Sequence, residues 1–283
     1  MLAVSIDGML VAPENATISI FDRGFLFGDG VFEVFRTWDE VAIDLDAHLT
    51  RLYASAAHLR LRTIDQDRAA DAVQRTLASS GPGEKRIRVV LTRGPGALVA
   101  RPATLGPGRA IVIVEPLPAQ PKELSLAVVD WPLPRRTGVA HKTLAYLDHV
   151  LARELAANAG ADEALRLGAD GDVVECATAN VFIVSGGAVA TPPTEIGILP
   201  GVTRARVLAA CAATGIKAAE RRLTLAEVQG ADEMFVTSAV RGVVPVTRLD
   251  GNPRAAGPVT RRIIDGYLAG LRQQTVAPSG DPI

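Results

Sequence analysis

The chain has 283 residues, of which 48% are hydrophobic and 22% are charged, and its formal net charge at pH 7 is −1. This balance gives no electrostatic reason to expect a nucleic-acid or membrane partner, and no apolar run approaches the roughly 18 residues of a membrane span. The length favours two domains or one large one, with a small molecule as the expected partner.

Cysteine and histidine usage indicates neither a disulfide framework nor a metal site. Cys176 and Cys211 lie far apart, without a Cys-x-x-Cys pair, and the histidines show no ligand spacing with them. We therefore expect no metal. The first residues lack the basic and apolar segments of a signal peptide, so we expect a cytoplasmic location.

Short apolar runs separated by turn residues predict β-hairpins in the first third of the chain. The predicted strands are 2–6, 9–11, 31–38, 41–45, 87–92 and 110–115. Apolar spacing predicts a helix capped by Asp46 and a second helix over 65–77. The proline-spaced segment 116–121 lacks several backbone donors and interrupts both periods. We therefore expect a small N-terminal domain over 1–118 and a linker over 119–123.

The second part alternates strands and helices and predicts a larger α/β domain over 124–274. The predicted strands are 124–129, 163–167, 173–177, 180–184, 218–223, 234–238 and 243–249. The predicted helices are 143–159, 203–214, a short one capped by Thr224, and 259–272. Residues 275–283 contain almost nothing to bury, which predicts a disordered tail.

Lys142 is informative because only four of the 30 basic residues are lysines. A lysine amine, unlike an arginine, can lose its proton and form a Schiff base with a carbonyl group. Lys142 lies at the start of the predicted helix over 143–159. We expect the other three lysines, Lys85, Lys122 and Lys217, to be solvated charges. A lysine at a helix start is itself usually a surface residue, so its role depends on its partners.

A pyridoxal-phosphate enzyme also needs an anion site and an acid for the pyridine nitrogen. Gly201-Val202-Thr203-Arg204 opens an apolar helix, where backbone N–H groups and the helix dipole favour an anion, although the same residues also serve as an ordinary cap. Thr237-Ser238 and Arg51 are further candidate donors. Glu175 is a charge inside an apolar strand, so it requires either an exposed edge position or a cationic partner, which could be a pyridinium or one of the arginines.

Taken in order, these motifs resemble the fold-type IV, or class IV, family of pyridoxal-phosphate enzymes. Its members include branched-chain aminotransferases, D-amino acid aminotransferases and aminodeoxychorismate lyases. The resemblance runs from about Ile6 to Leu268. Its carrying stretches are the run from Asp22 to Glu33, the run from His48 to Leu52, Lys142-Thr-Leu, the run from Gly160 to Ala164, Glu175 with Asn180-Val-Phe, the run from Leu199 to Arg204, and Phe235-Val-Thr-Ser leading to Pro245.

The resemblance implies a D-amino acid aminotransferase-like fold of two α/β domains, with pyridoxal 5'-phosphate between them and usually a homodimer. Lys142 is implied to form the Schiff base with the cofactor, and Glu175 to pair with the pyridine nitrogen. The residues implied to hold the phosphate are Arg51, Val202, Thr203, Ser238 and Ala239. Many relatives have asparagine where this chain has Ala145, so a local hydrogen bond is lost.

The substrate residues must distinguish the possible reactions. The D-amino acid enzymes place a tyrosine where Phe32 stands and an Arg-x-His where Leu98-Val-Ala100 stands. The stretches 32–36 and 237–245 look closer to some aminodeoxychorismate lyases, and we expect Arg36 and Arg241 to bind the two carboxylates of that substrate. Arg93 is a further candidate for the substrate pocket.

We therefore expect a 4-amino-4-deoxychorismate lyase that releases pyruvate and 4-aminobenzoate, a step of folate biosynthesis. The alternative is an aminotransferase of branched-chain or D-amino acids with 2-oxoglutarate or pyruvate. A third possibility is a pyridoxal-phosphate-binding protein without catalysis. The presence of both Lys142 and Glu175 argues against this third possibility.

Overall fold

The computed structural model describes residues 1–97, 99, 106–131 and 140–276. Contacts divide the chain into two compact units. The first unit comprises Met1–Ala119, His141–Tyr146 and the chain end from Gln274, and the second comprises Gln120–Ala140 and Leu147–Gln273. This division differs from the predicted domain over 124–274, because the segment that carries Lys142 groups with the first unit. Of the predicted tail, residues 277–283 lie outside the described residues, whereas 275 and 276 continue the last helix.

The first unit is built on an antiparallel sheet, which agrees with the predicted hairpins. Its strands are β1 (Ala3–Ile6), β2 (Met9–Val11), β3 (Gly30–Trp38), β4 (Val41–Ala42), β5 (Lys85–Thr92) and β6 (Arg109–Pro116). They lie in the order β2-β1-β6-β5-β3-β4. The helices of this unit are α1 (Arg23–Phe27), α2 (Leu45–His58) and α3 (Gln66–Ser79).

Strand β3 gives the first unit its core, because its side chains alternate between two faces. Phe35 and Thr37 are fully buried on the face that packs against α2. Leu49 and Leu52 of α2 are each 1% exposed. Burying a leucine side chain stabilises a fold by about 1.5–3 kcal/mol, so these two fix the helix on the sheet. The opposite face of β3 carries Phe32, next to the lysine.

Two boundaries in the first unit differ from the prediction. Asp44 is in the left-handed region with φ 55° and precedes the first helical residue, so α2 begins before the predicted cap Asp46. For the same reason the predicted strand 41–45 ends at Ala42. The sequence analysis also missed α1, whose cap is Asp22: its carboxylate accepts a hydrogen bond from the Gly24 amide at 2.7 Å.

One of the three other lysines is not solvated. Lys85 is only 2% exposed, and its Nζ donates to the carbonyl oxygens of Pro82 at 2.5 Å and Gly83 at 2.9 Å. The tight Gly-Pro-Gly turn folds back over the ammonium group, and sequence spacing does not reveal this. Lys122 and Lys217 are exposed, as expected.

The second unit is a mixed sheet with helices. Its strands are β7 (Leu124–Val128), β8 (Glu163–Leu167), β9 (Val173–Cys176), β10 (Asn180–Ser185), β11 (Ala188–Thr191), β12 (Ala218–Glu220), β13 (Glu233–Ser238), β14 (Gly242–Leu249) and β15 (Asn252–Pro253). The sheet order is β12-β11-β10-β13-β14-β7-β8-β9, with β15 beside β14. The helices are α4 (Leu147–Asn158), α5 (Val202–Thr214), α6 (Leu225–Gly230) and α7 (Pro258–Val276).

The core of the second unit lies on β10, β13 and β14. Val181 and Val236 are at most 1% exposed in this cluster, and the rings of Phe182 and Phe235 stack with centroids 4.7 Å apart. These strands are therefore closely packed, and β13 ends at Ser238, one of the residues predicted to bind the cofactor. In the part of the chain that is described, no helix is long and apolar enough to cross a membrane.

Candidate active site

The segment that carries Lys142 is extended and pairs with the start of β3. The Phe32 amide donates to the Lys142 carbonyl at 2.9 Å, and the Leu144 amide donates to the Gly30 carbonyl at 2.9 Å. Thr143 forms an isolated bridge with Val31. This pairing corrects the predicted helix over 143–159: Thr143 and Leu144 are extended and pair with β3, so α4 begins only at Leu147.

Gly28 and Gly30 have a packing role in this arrangement. A Cβ on Gly30 would lie 2.5 Å from the Leu91 carbonyl oxygen and 2.7 Å from a methyl group of Leu144. Gly28 has φ 65°, and a Cβ there would lie 2.8 Å from the Ala145 amide nitrogen. Gly28 and Gly30 therefore allow the segment that carries Lys142 to approach the backbone closely.

Two aromatic rings surround the Lys142 amine. Its Nζ lies 4.7 Å from the Phe32 ring centroid and 5.3 Å from that of Tyr146. The two rings meet edge to face, with centroids 5.3 Å apart. The face of an aromatic ring attracts an ammonium group, so both rings contribute to holding the Lys142 amine at this position.

Arg88 is a residue of this site that the sequence analysis missed. Its guanidinium carbon lies 4.2 Å from the Phe32 ring centroid, so it is no more than about 9 Å from the Lys142 amine. Burial lowers the pKa of Arg88. Within the described residues no carboxylate forms an ion pair with it. The alternating arginines of Arg86-Ile-Arg88 are typical of the solvent-exposed face of a strand. Only the pairing of β5 with β3 shows that Arg88 lies next to Phe32.

Arg51 of α2 is held by a buried carboxylate. Its Nε and Nη2 donate to the two oxygens of Glu33, each at 2.7 Å, and His48 Nδ1 lies 2.8 Å from the same carboxylate. Glu33 is 1% exposed. Burial raises the pKa of Glu33, but the hydrogen bond with His48 and the charge of Arg51 outweigh it and bring the pKa to about 2. The guanidinium of Arg51 is thus fixed in orientation.

In the second unit, Glu175 lies on β9 and is 7% exposed. Its carboxylate accepts hydrogen bonds from the Leu199 amide at 3.1 Å and from Asn180 Nδ2 at 3.4 Å. Asn180 Nδ2 also donates to the Leu199 carbonyl at 2.9 Å. A Cβ on Gly201 would lie 2.0 Å from Asn180 Oδ1, so any larger residue there would displace the Asn180 side chain. These contacts place the start of α5 beside Glu175.

The start of α5 has the features of an anion site. Its N-cap is Gly201, which provides no side-chain hydrogen bond to the first turn. The N–H groups of Val202 and Thr203 therefore belong to the first turn, which has no internal acceptor and carries the positive end of the helix dipole. In the described chain, the buried hydroxyl of Thr237 also has no hydrogen-bond partner.

The turn after β13 contains Arg241, which forms an ion pair with the buried carboxylate of Glu163. Arg241 Nη2 donates to Glu163 at 2.9 Å, and Arg241 also contacts Thr178. Its Nε donates to the Ser238 hydroxyl at 3.3 Å. Glu163 is 1% exposed. Arg241 was predicted to bind a substrate carboxylate, and in this structure its Nη2 and Nε contact Glu163 and Ser238.

The other two predicted substrate arginines also have structural partners. Arg93 donates to Asp29 at 2.7 Å and to the carbonyl oxygens of Leu59 at 2.8 Å and Arg60 at 3.1 Å, at the C-terminal end of α2. It is 7% exposed, and these contacts cap the end of the helix. Arg36 donates to the Thr37 carbonyl, and its guanidinium carbon lies 5.4 Å from the Trp38 ring centroid. Residues 98 and 100, which replace the Arg-x-His, lie outside the described residues.

A family model for amino-transferase class IV matches residues 30–249, most of the chain.

The chain belongs to the class IV aminotransferase family.

The aminotransferase is 36% identical to a putative branched-chain-amino-acid aminotransferase of Methanocaldococcus jannaschii, over 94% of this chain and 95% of that one. It is 30% identical to a D-alanine aminotransferase of Bacillus licheniformis, over 93% and 94% of the two chains. A solved T.th. branched-chain amino acid aminotransferase, complexed with N-(5'-phosphopyridoxyl)-L-glutamate, is 26% identical with a TM-score of 0.89, over 96% of this chain and 94% of that one.

These similarities confirm the predicted fold-type IV architecture, the enzyme class and pyridoxal 5'-phosphate as cofactor. They favour the predicted alternative, a transaminase, over the lyase, because the relatives described above are aminotransferases. The residues of this chain are compatible with the cofactor. The aminotransferase has a lysine between two rings, a buried carboxylate that accepts N–H donors, and a helix start without a side-chain cap.

Proposed function

We propose that this aminotransferase transfers the amino group of branched-chain amino acids to 2-oxoglutarate. The observation that carries the proposal is the surroundings of Lys142: the aromatic rings of Phe32 and Tyr146 lie beside the amine, and Arg88 lies over the Phe32 ring. The rings are suited to an apolar side chain. Arg88 is suited to the distal carboxylate of glutamate or 2-oxoglutarate, because no internal carboxylate in the described residues forms an ion pair with it.

Each predicted cofactor residue has a role in this proposal. Lys142 is the amine that attaches covalently to the cofactor, and Glu175 keeps the pyridine nitrogen protonated. The phosphate is held by the N–H groups of Val202 and Thr203, by Ser238 and Ala239, and by Arg51. When bound, pyridoxal phosphate withdraws electrons from the substrate α-carbon.

Proton transfer falls to Lys142. With the cofactor bound, the Lys142 amine would be the group that accepts the proton from the substrate α-carbon and donates it back. Glu33 orients the Arg51 side chain, so Arg51 can hold the phosphate without changing its own conformation.

We also propose a homodimer. Its support is an exposed apolar stretch in the first unit, where Ile20, Phe21, Phe25 and Phe27 are 68%, 57%, 65% and 51% exposed. Monomeric proteins rarely expose such a contiguous apolar patch. Sedimentation velocity of the wild type and of a Phe21→Ser/Phe25→Ser variant tests this. A wild type that sediments as a monomer would contradict the proposal.

Substrate assays test the reaction. Purified protein supplied with pyridoxal phosphate is assayed with leucine and 2-oxoglutarate, with D-alanine and 2-oxoglutarate, and with aminodeoxychorismate alone. Glutamate formation from leucine supports the proposal. Turnover of D-alanine without leucine would favour the D-alanine aminotransferase alternative, which the Bacillus relative supports. Pyruvate and 4-aminobenzoate from aminodeoxychorismate would restore the lyase.

Covalent attachment tests the role of Lys142. Borohydride reduction of the cofactor-loaded protein, followed by peptide mass analysis, is expected to find the pyridoxyl group on Lys142. Lys142→Ala is expected to lose the visible absorption band and all transamination. The matched control is Lys122→Ala, which removes an exposed lysine and leaves both unchanged. A labelled lysine other than Lys142 would overturn the assignment.

A further inference from the structure

Two histidines flank the lysine segment without a role in the chemistry above. His141 immediately precedes Lys142, and its ring stacks on that of His58 near the end of α2, with centroids 4.1 Å apart and an interplanar angle of 25°. His141 Nδ1 also lies 3.2 Å from the Ser55 hydroxyl oxygen. Ser55 is 3% exposed, one turn after Arg51 on α2.

The direction of these hydrogen bonds follows from the Ser55 hydroxyl. Ser55 Oγ lies 2.9 Å from the Arg51 carbonyl oxygen, and a carbonyl only accepts. The single hydroxyl proton of Ser55 is therefore donated to Arg51. Its oxygen must then accept from His141, so Nδ1 of His141 carries a proton. His141 acts as a donor in a short chain that ends on the backbone of the phosphate-binding candidate.

The segment that carries Lys142 is therefore held both before and after the lysine. Its carbonyl and the residues that follow pair with β3, whereas the residue before it is fixed to α2 through a ring stack and a hydrogen bond. The carbonyl of His141 also accepts a hydrogen bond from the Thr143 amide at 3.1 Å. The side-chain contacts of His141 with Ser55 and His58 further restrain the chain before Lys142.

We propose that His141 is a positioning residue for Lys142, fixed by hydrogen bonding to Ser55 and by stacking on His58. Because Ser55 also bonds the Arg51 carbonyl, one turn of α2 sets the location of both the reactive amine and a phosphate ligand. This inference rests on the proposed function, in which Lys142 attaches to the cofactor.

Four variants separate the two contacts of His141. His141→Phe keeps a stacking ring but loses the donor, and His141→Asn keeps a donor near the Nδ1 position but loses the ring. Ser55→Ala removes the acceptor, and His58→Ala removes the stacking partner. The matched control is Ser80→Ala, because Ser80 is also buried and also donates to a helical carbonyl, that of Leu77, at 2.7 Å.

The first readout is independent of catalysis. Hydrogen exchange of the apoprotein measures the Phe32 and Leu144 amides, which pair with the lysine segment. We expect Ser55→Ala and His141→Phe to speed this exchange about fivefold, the factor for the loss of one hydrogen bond of ordinary strength. We expect Ser80→Ala to leave it unchanged. The double variant Ser55→Ala/His141→Phe should be no faster than either single variant, because both remove the same bond.

The second readout is the loaded enzyme. We expect Ser55→Ala and His141→Phe to lower kcat about fivefold with little change in KM, and to shift the pH midpoint of the visible absorption band. His141→Asn should recover most of the loss in kcat. If exchange and kcat keep their wild-type values in all four variants, the inference is overturned. The proposed function is still upheld in that case if borohydride reduction labels Lys142. A wild type without that label would instead overturn the proposed function.

Discussion

The carboxylate of Glu33 should make the stability of the first unit sensitive to acid. The pKa of Glu33 is about 2 in the folded chain, against an ordinary value of 4.5. A difference of about 2.5 units corresponds to roughly 3 kcal/mol of folding free energy, since each unit is about 1.4 kcal/mol. Because the folded pKa is depressed, this stability is fully present above pH 4.5 and is lost as the pH falls toward 2.

Urea unfolding at pH 5.5 and pH 3, followed by circular dichroism, measures this effect in the wild type and in Glu33→Gln. Linkage predicts that about 2 kcal/mol of the Glu33 contribution is gone at pH 3. Glu33→Gln leaves Arg51 and His48 buried without a carboxylate, so at pH 5.5 it should lower the unfolding free energy by about 3–5 kcal/mol. The difference between the two proteins should shrink by about 2 kcal/mol at pH 3.

The matched control is Glu115→Gln. Glu115 pairs with Arg86 at 2.7 Å, but both side chains are more than a third exposed. Exposed pairs contribute about 0–1 kcal/mol, so this variant should change little at either pH. A Glu33→Gln difference that stays constant between pH 5.5 and pH 3 would refute the reasoning, because the carboxylate would then carry no pH-dependent interaction.

Three further predictions concern the site. Arg88→Gln should raise KM for 2-oxoglutarate about tenfold or more and leave KM for leucine nearly unchanged, because only the former has a distal carboxylate; equal effects on both would contradict the assigned role. Glu163→Gln should weaken pyridoxal-phosphate binding, measured by fluorescence titration, because Arg241 loses its buried partner, and unchanged affinity would remove that role. Gly201→Ala should weaken cofactor binding more than Gly230→Ala, which introduces its Cβ into open space, and equal binding would exclude the clash with Asn180.

Local patterns determined much of the fold because they depend on neighbours in the sequence. The hairpins of the first unit follow from short apolar runs and turn residues, and α5 follows from its apolar spacing and glycine boundaries. The predicted helix over 143–159 was wrong at its start because β3, distant in sequence, takes the backbone hydrogen bonds of the lysine segment. Pairing energy between remote segments overrides local helix preference.

The sequence also indicated the cofactor, because a scarce lysine, a strand carboxylate and a glycine-led helix start occur in motifs that resemble the class IV family. Only the tertiary structure decided which partners each arginine contacts. Arg93 and Arg241 are occupied by internal partners, whereas Arg88 faces Phe32 beside Lys142. The physical reason is that the residue type alone gives an arginine its charge, whereas folding decides which carboxylates and carbonyl oxygens lie close enough to interact with that charge.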